Sequence, residues 1–319
     1  MNFILIPFLL ATDLVSNDDA WNNGPEYSFS VSVSTISNLR AGKSESKGES
    51  RLLGTTLLTT LKCRPREPDN LNCHFEDAKI GRLSPKKFKF EEILRAAENA
   101  SYRPYGFSEA NFEIKFNRNG IDGYIFEKDE RLMGQFLVDM FRMIANQLSV
   151  GTSVEGKAES FREKENFTMG ECPAEYKITR SEIDGHCQKK KLNLVALIDS
   201  QLNDEEILRI ERQRVLDECL PRDLCYFGTR YTYGVVLGGH TDKLVSSTST
   251  LTISRNCFIS ETFNIVDIYD EKKKKLGSSL DRLRVSLDSI DPAQGSLKSM
   301  SDPTSVDVVV RNPSNYDVN

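Results

Sequence analysis

The residues able to do chemistry are few, and most of them stand alone. Only three histidines occur, His74, His186 and His240, and no Gly-x-Ser-x-Gly elbow accompanies them. Nucleophilic hydrolysis needs a Ser or Cys beside a base, so all three are read as exposed loop histidines. His186-Cys187 has no second Cys-x-x-Cys and no His at ligand spacing, which leaves zinc without a tetrahedral set. Carboxylates are many but scattered, and nothing marks a catalytic pair. Gly151-Thr-Ser-Val-Glu-Gly156-Lys157 has the spacing of a phosphate-cradling loop. However, Ala158 stands where Mg²⁺ needs a hydroxyl, and a helical pattern precedes the segment where a strand should, so a surface loop is expected. These observations predict a chain that is no enzyme, with no catalytic, cofactor or metal site.

The remaining polar groups suit binding and cross-linking. Three basic runs, Lys86-Lys87-x-Lys89, Lys189-Lys190-Lys191 and Lys272-Lys273-Lys274-Lys275, can dock on an acidic receptor repeat, an anionic membrane or a polyanion. A solvated hairpin tip is the plain alternative for each. Asn99-Ala-Ser101 and Asn166-Phe-Thr168 are glycosylation sequons, and seven cysteines fit an oxidising compartment. Cys63 and Cys73 flank a Pro-bearing loop that they can close. The net charge of −5 gives no overall pull towards nucleic acid.

A chain of 319 residues, 39% of them hydrophobic, can bury a substantial core. Phe3 to Ala11 is an apolar run of signal-peptide length, so residues 1–20 are read as a leader cleaved between Ala11 and Ala20, and the product as secreted and extracellular. No later segment reaches the ~18 uninterrupted apolar residues of a membrane span. Tyr27, Phe29, Val31 and Val33 alternate with serines, as in a half-buried antiparallel strand. Arg51 to Cys63 reads as a second strand, and Phe112 to Phe126 as a hairpin turning at Asn119-Gly120. Phe88 to Ala100 has helical spacing at Phe90, Ile93, Leu94 and Ala97. The one long helix is predicted over Asp129 to Val150, with Leu132, Phe136, Leu137, Met140, Phe141, Ile144 and Leu148 on one face and Asp139, Arg142 and Asn146 on the other. That helix face is read as core, not as an acyl-chain site.

Short strand candidates follow around 161–168, 176–179, 192–198, 231–237, 250–254, 263–268 and 283–287, in the spacing of a barrel or sandwich. The fold expected is mainly β: an antiparallel barrel over residues 21–289, closed around one long central amphipathic helix. Residues 290–319, rich in Ser, Asp and Pro, are expected to form a weakly ordered polar tail.

The order of several short motifs resembles the N-terminal domain of the vitellogenins. Trp21-x-x-Gly24-x-x-Tyr27 resembles the opening of the mature chain, Phe112 to Gly123 the family hairpin, and Asp129 to Val150 its central helix. Met169-Gly170-Glu171-Cys172 with Tyr176 resembles the Gly-x-Cys strand, and Arg214 to Cys219, followed by Arg222 and Tyr226-Phe227-Gly228, the Lys-Thr-Arg…Cys…Arg stretch. Together these cover roughly Trp21 to Ser289.

The resemblance implies the barrel of the large lipid transfer proteins, lipid transport as the family activity, and a disulfide between Cys172 and Cys219. Cys187, Cys225 and Cys257 then remain, and both a free buried thiol and a disulfide-linked dimer stay open for the odd one. In the family a helical arch and two cavity sheets would follow where this sequence stops, so docking on a lipid, a lipoprotein or a cell-surface lipoprotein-type receptor is the expected role. A nutrient-reservoir protein, of a yolk or venom type, is the rival reading.

Overall fold

The computed structural model describes residues 2–6, 10–13, 21–40, 50–106, 110–117, 119–127, 135–154, 156–167, 170–182, 187, 192, 194–196, 203, 205–219, 240–297 and 299–308. Its strands are β1 (Asn2–Ile6), β2 (Leu10–Asp13), β3 (Pro25–Arg40), β4 (Ser50–Arg66), β5 (Asn70–Leu83), β6 (Ser101–Pro104), β7 (Phe112–Asn117) and β8 (Gly120–Glu127). These continue as β9 (Ser160–Phe167), β10 (Gly170–Glu182), β11 (Leu194–Ala196), β12 (Glu206–Arg214), β13 (His240–Ser254), β14 (Cys257–Asp270), β15 (Lys275–Pro292) and β16 (Pro303–Asp307). Two α-helices, α1 (Phe90–Ala97) and α2 (Gln135–Ala145), complete the described elements with two short 3₁₀ turns.

Thirteen strands form one antiparallel sheet in the order β16-β8-β7-β5-β4-β3-β15-β14-β13-β12-β10-β9, with β6 also on β5. Among the described residues the expected barrel is therefore not closed, because β16 and β9 end the sheet and do not pair with each other. Period-2 patterning tells each strand which face to bury, but closure depends on tilt and stagger, which patterning does not encode. β1, β2 and β11 form a separate three-stranded sheet, in which the expected leader contributes backbone pairing.

The alternation read in the sequence sets the faces. Tyr27, Phe29, Val31 and Val33 of β3 are buried on the inner face beside Leu283, Val285 and Leu287 of β15. The β7–β8 hairpin pairs Asn117 with Gly120, whose φ of 109° is the conformation that a glycine supplies in so tight a turn. Within it, the Asn119 N–H donates to Asn117 Oδ1 at 2.8 Å.

The long central helix is corrected to the eleven residues of α2, extended by a 3₁₀ turn over Asn146–Leu148; 129–134 lie outside the described residues. Its expected polar face is also corrected: Asp139, Arg142 and Asn146 are all buried. The cover comes partly from the expected tail. β15 runs on to Pro292, β16 pairs with β8, and Val306 and Val308 join the inner core. Arg142 donates to the Asp307 carbonyl at 2.8 Å and to Asp139 at 3.1 Å, so the helix's polar side is bonded to chain the composition marked as loose. Helix α1 lies on the opposite face, where Ile93 packs with Ile36 and Leu280 and Phe90 meets Phe263 edge-on at 5.0 Å. Leu94, expected on that buried face, is exposed.

Candidate functional site

The inner face of the sheet is filled by its own side chains and by α2. The Phe141 ring lies 4.9 Å from Phe75, 5.3 Å from Phe112 and 5.8 Å from Phe126, so three strands and the helix meet in one aromatic stack. Burying such rings dominates core energetics, at about 3–5 kcal/mol for each Phe truncated to Ala.

Beyond the stack, towards β12 and β9, the inner face becomes ionic. On β12, Leu208 and Ile210 point inward, and the period-2 pattern carries Arg212 and Arg214 to the same side. Both are buried, and both bind Glu165 of β9: Arg212 at 2.6 Å to one carboxylate oxygen and Arg214 at 2.5 Å to the other. Arg212 also donates to the Val150 carbonyl at 2.7 Å, as Tyr176 does at 3.3 Å, and Arg214 donates to Ser247 at 2.6 Å. A hydroxyl relay continues through Ser249 and Thr262 to Gln147, the 3₁₀ residue that follows α2. Burial pulls the Arg214 guanidinium down to about 10 while Glu165 draws it back up, so it stays protonated at neutral pH.

The phosphate-loop lookalike belongs to this network. Gly151 has φ 88°, and a Cβ there would sit 2.5 Å from Glu165 Oε2 and 3.0 Å from Arg212. Its glycine serves close approach to an ion cluster. Lys157 is taken up by Glu163 at 2.6 Å.

A second buried polar row crosses β14, β15 and β3, where Asn264, Asp281 and Thr35 are successive cross-strand partners. Thr35 donates its hydroxyl to Asp281. Burial, with a smaller contribution from Asp242, pushes the Asp281 carboxyl up to about 7, despite the Thr35 hydrogen bond pulling it down.

Three disulfides tie the sheet together. Cys63 and Cys73 are directly opposed on β4 and β5, with Cα atoms 4.1 Å apart. Cys172 joins Cys219 at a Cα distance of 4.8 Å, linking β10 to the turn after β12. Cys187 joins Cys257, a pairing the sequence left open; Cys225 lies outside the described residues.

Among the other predicted residues, Asn99 is exposed just after α1, while Asn166 falls within β9. Lys272 to Lys275 form the exposed turn between β14 and β15, with Lys275 paired to Asp267 at 2.7 Å. Lys189 to Lys191 lie outside the described residues, as do His186 and the strand expected at 231–237. His74 is corrected from a loop to β5, where it bonds Glu76 at 3.0 Å.

The Glu165–Arg212–Arg214 cluster went unrecognised in the sequence. Its signal was there, since two arginines stand in phase with Leu208 and Ile210, but one strand does not reveal its partner. No group of three or more His, Cys, Asp or Glu able to hold a metal ion exists among the described residues. No described helix is long and apolar enough to cross a membrane.

The chain is similar to a solved lipovitellin structure, described as "Lipid-protein interactions in lipovitellin", with a TM-score of 0.57 and 12% identity. The match covers 92% of this chain and 28% of that one, so the chain spans little more than a quarter of its structural relative. Residues 21–268 match the family model described as the Vitellogenin N-terminal domain, and the chain belongs to that family, one of lipid transport and storage. No curated protein sequence matches it.

Proposed function

We propose that this protein is a secreted, non-catalytic recognition module of the lipid-transport family, which binds lipid or lipoprotein at its surface. The observation that carries the reading is the family match over 21–268, borne by a sheet whose inner face is occupied by α2, the aromatic stack and the Glu165 cluster. An interior so filled leaves surface grooves as the place for a ligand. One groove of about 520 Å³ opens between the 154–159 loop and β10 and β12, with Val154, Ile178 and Leu208 for a floor and Lys157 and Arg180 at its rim. Three disulfides and an exposed Asn99 sequon support passage through an oxidising secretory route.

The test is native mass spectrometry of protein secreted from eukaryotic cells, with lipid extraction of the same sample. A reproducible lipid at near-stoichiometric amount, a glycan on Asn99 and an N-terminus between residues 12 and 21 are expected. A clean apo mass that takes up no lipid would reject the binding reading. It would favour the nutrient-reservoir alternative, to which the storage role of the family also lends support.

A further inference from the structure

Two lysine runs far apart in sequence meet across one groove on the outer face. Lys86, Lys87 and Lys89 precede α1, and Lys272 to Lys275 form the β14–β15 turn. Lys89 and Lys275 both line a groove of about 500 Å³, whose apolar lining is Phe88, Phe90, Val245, Ile265 and Leu280. Val245 sits at a bulge in the β13–β14 ladder and is 49% exposed, which is unusual for a valine in the middle of a strand.

The lining itself is balanced, Lys89 and Lys275 against Glu91 and Asp267. The positive surplus lies in the exposed residues that adjoin them in sequence, Lys86, Lys87, Lys272, Lys273 and Lys274 against Asp270 and Glu271. Asp267, the acid within the groove, is answered by Lys275: burial alone would raise its carboxyl, but hydrogen bonds from Lys275 and Ser278 hold it below the usual range. Among the described residues, Lys86, Lys87, Lys89, Lys272, Lys273 and Lys274 make no ion pair that would neutralise them.

We infer that this groove is a docking site for an anionic phospholipid surface, with the two lysine runs on the headgroups and the Val245–Phe88 wall against the acyl region. An apolar cleft under a polybasic rim has the division of labour such a surface needs: Coulomb attraction from several lysines and a dry slot for hydrocarbon. An acidic protein would use the lysines but not the slot.

The site rests on the lipid-binding reading but can fail separately, since protein that carries lipid yet ignores vesicles would overturn the groove alone. The probe is co-sedimentation with vesicles of phosphatidylcholine and phosphatidylserine at 7:3, against pure phosphatidylcholine, in 0.15 M salt. Binding is expected to the mixed vesicles only. It should fall at least tenfold in a Lys272→Gln/Lys273→Gln/Lys274→Gln variant, at roughly fivefold per lysine before non-additivity. Val245→Ser should weaken it several-fold, and both variants should keep the wild-type thermal transition. Equal binding to both vesicles, no binding to either, or indifference to Val245→Ser would each overturn the proposal. So would full displacement by polyglutamate of matched charge, which would point to an acidic protein partner.

Discussion

The two faces of the one sheet treat charge in opposite ways. On the inner face every described charge of the β9–β12 cluster has a partner within 2.6 Å, and the surrounding space is filled. On the outer face around α1, six lysines stand in solvent, and one of them, Lys89, lines an open apolar groove. β14 and β15 serve both faces through alternate residues, Thr262 and Asp281 inward and Ile265 and Leu280 outward. The difference teaches that polarity alone does not mark a surface here: position relative to the pleat decides whether an arginine is structural or a lysine is available.

The comparison breaks most visibly at Glu165. Glu165→Ala leaves two guanidiniums buried without their carboxylate, and a loss of about 3–5 kcal/mol is expected in urea unfolding. A loss below 1 kcal/mol would mean the cluster is hydrated and not sealed.

Asp281 sharpens the same contrast through pH. Its folded pKa of about 7 lies above the unfolded value, so the folded chain keeps a proton that the unfolded chain releases. That contribution is complete below about pH 4, declines as the pH rises through about 7, and is gone above it. Relative to Asp281→Asn, the wild type should lose on the order of 4 kcal/mol across this window. Parallel stability curves for the two proteins between pH 4 and 8 would show that the carboxyl is not sealed.

Gly151→Ala should cost about 2 kcal/mol, from a positive φ and a Cβ driven into the Glu165 cluster. If Gly151→Ala is as stable as wild type by thermal melting, the 149–154 segment is not clamped to the ions. The smallest effect belongs to the outer face. Val245→Ser should shift stability by less than about 0.5 kcal/mol, because half of that side chain already meets water. A larger loss on calorimetry would make the groove wall part of the core.

Much of the fold was legible because its signals are local. Serine alternation placed β3, Asn119-Gly120 placed the β7–β8 turn, and Phe90 with Ile93 placed α1. Composition misjudged what long-range partners decide. The residues after 289 were read as loose for want of large apolar groups, yet five of them pair with β8 and Val308 is buried. Arg142 falls on the helix face opposite the apolar one, and a helix wheel carries no knowledge of the β16 carbonyl that it meets there. Closure of the sheet was expected from strand count and resemblance, and strand count does not set stagger.

By itself, then, the sequence determined the class of the protein: strands with one apolar face, a helix to fill it, cysteines for an oxidising compartment, and an ordered set of motifs that resembles one family. Those are properties of residue type and short spacing, which a chain carries before it folds. Only the tertiary structure decided that Cys187 meets Cys257, that Glu165 neutralises Arg212 and Arg214, that Asp281 is pushed up to about 7, and that two lysine runs flank one groove. Each of these joins residues tens to hundreds of positions apart, and such pairs are chosen by which strands lie side by side and which faces the pleat turns inward.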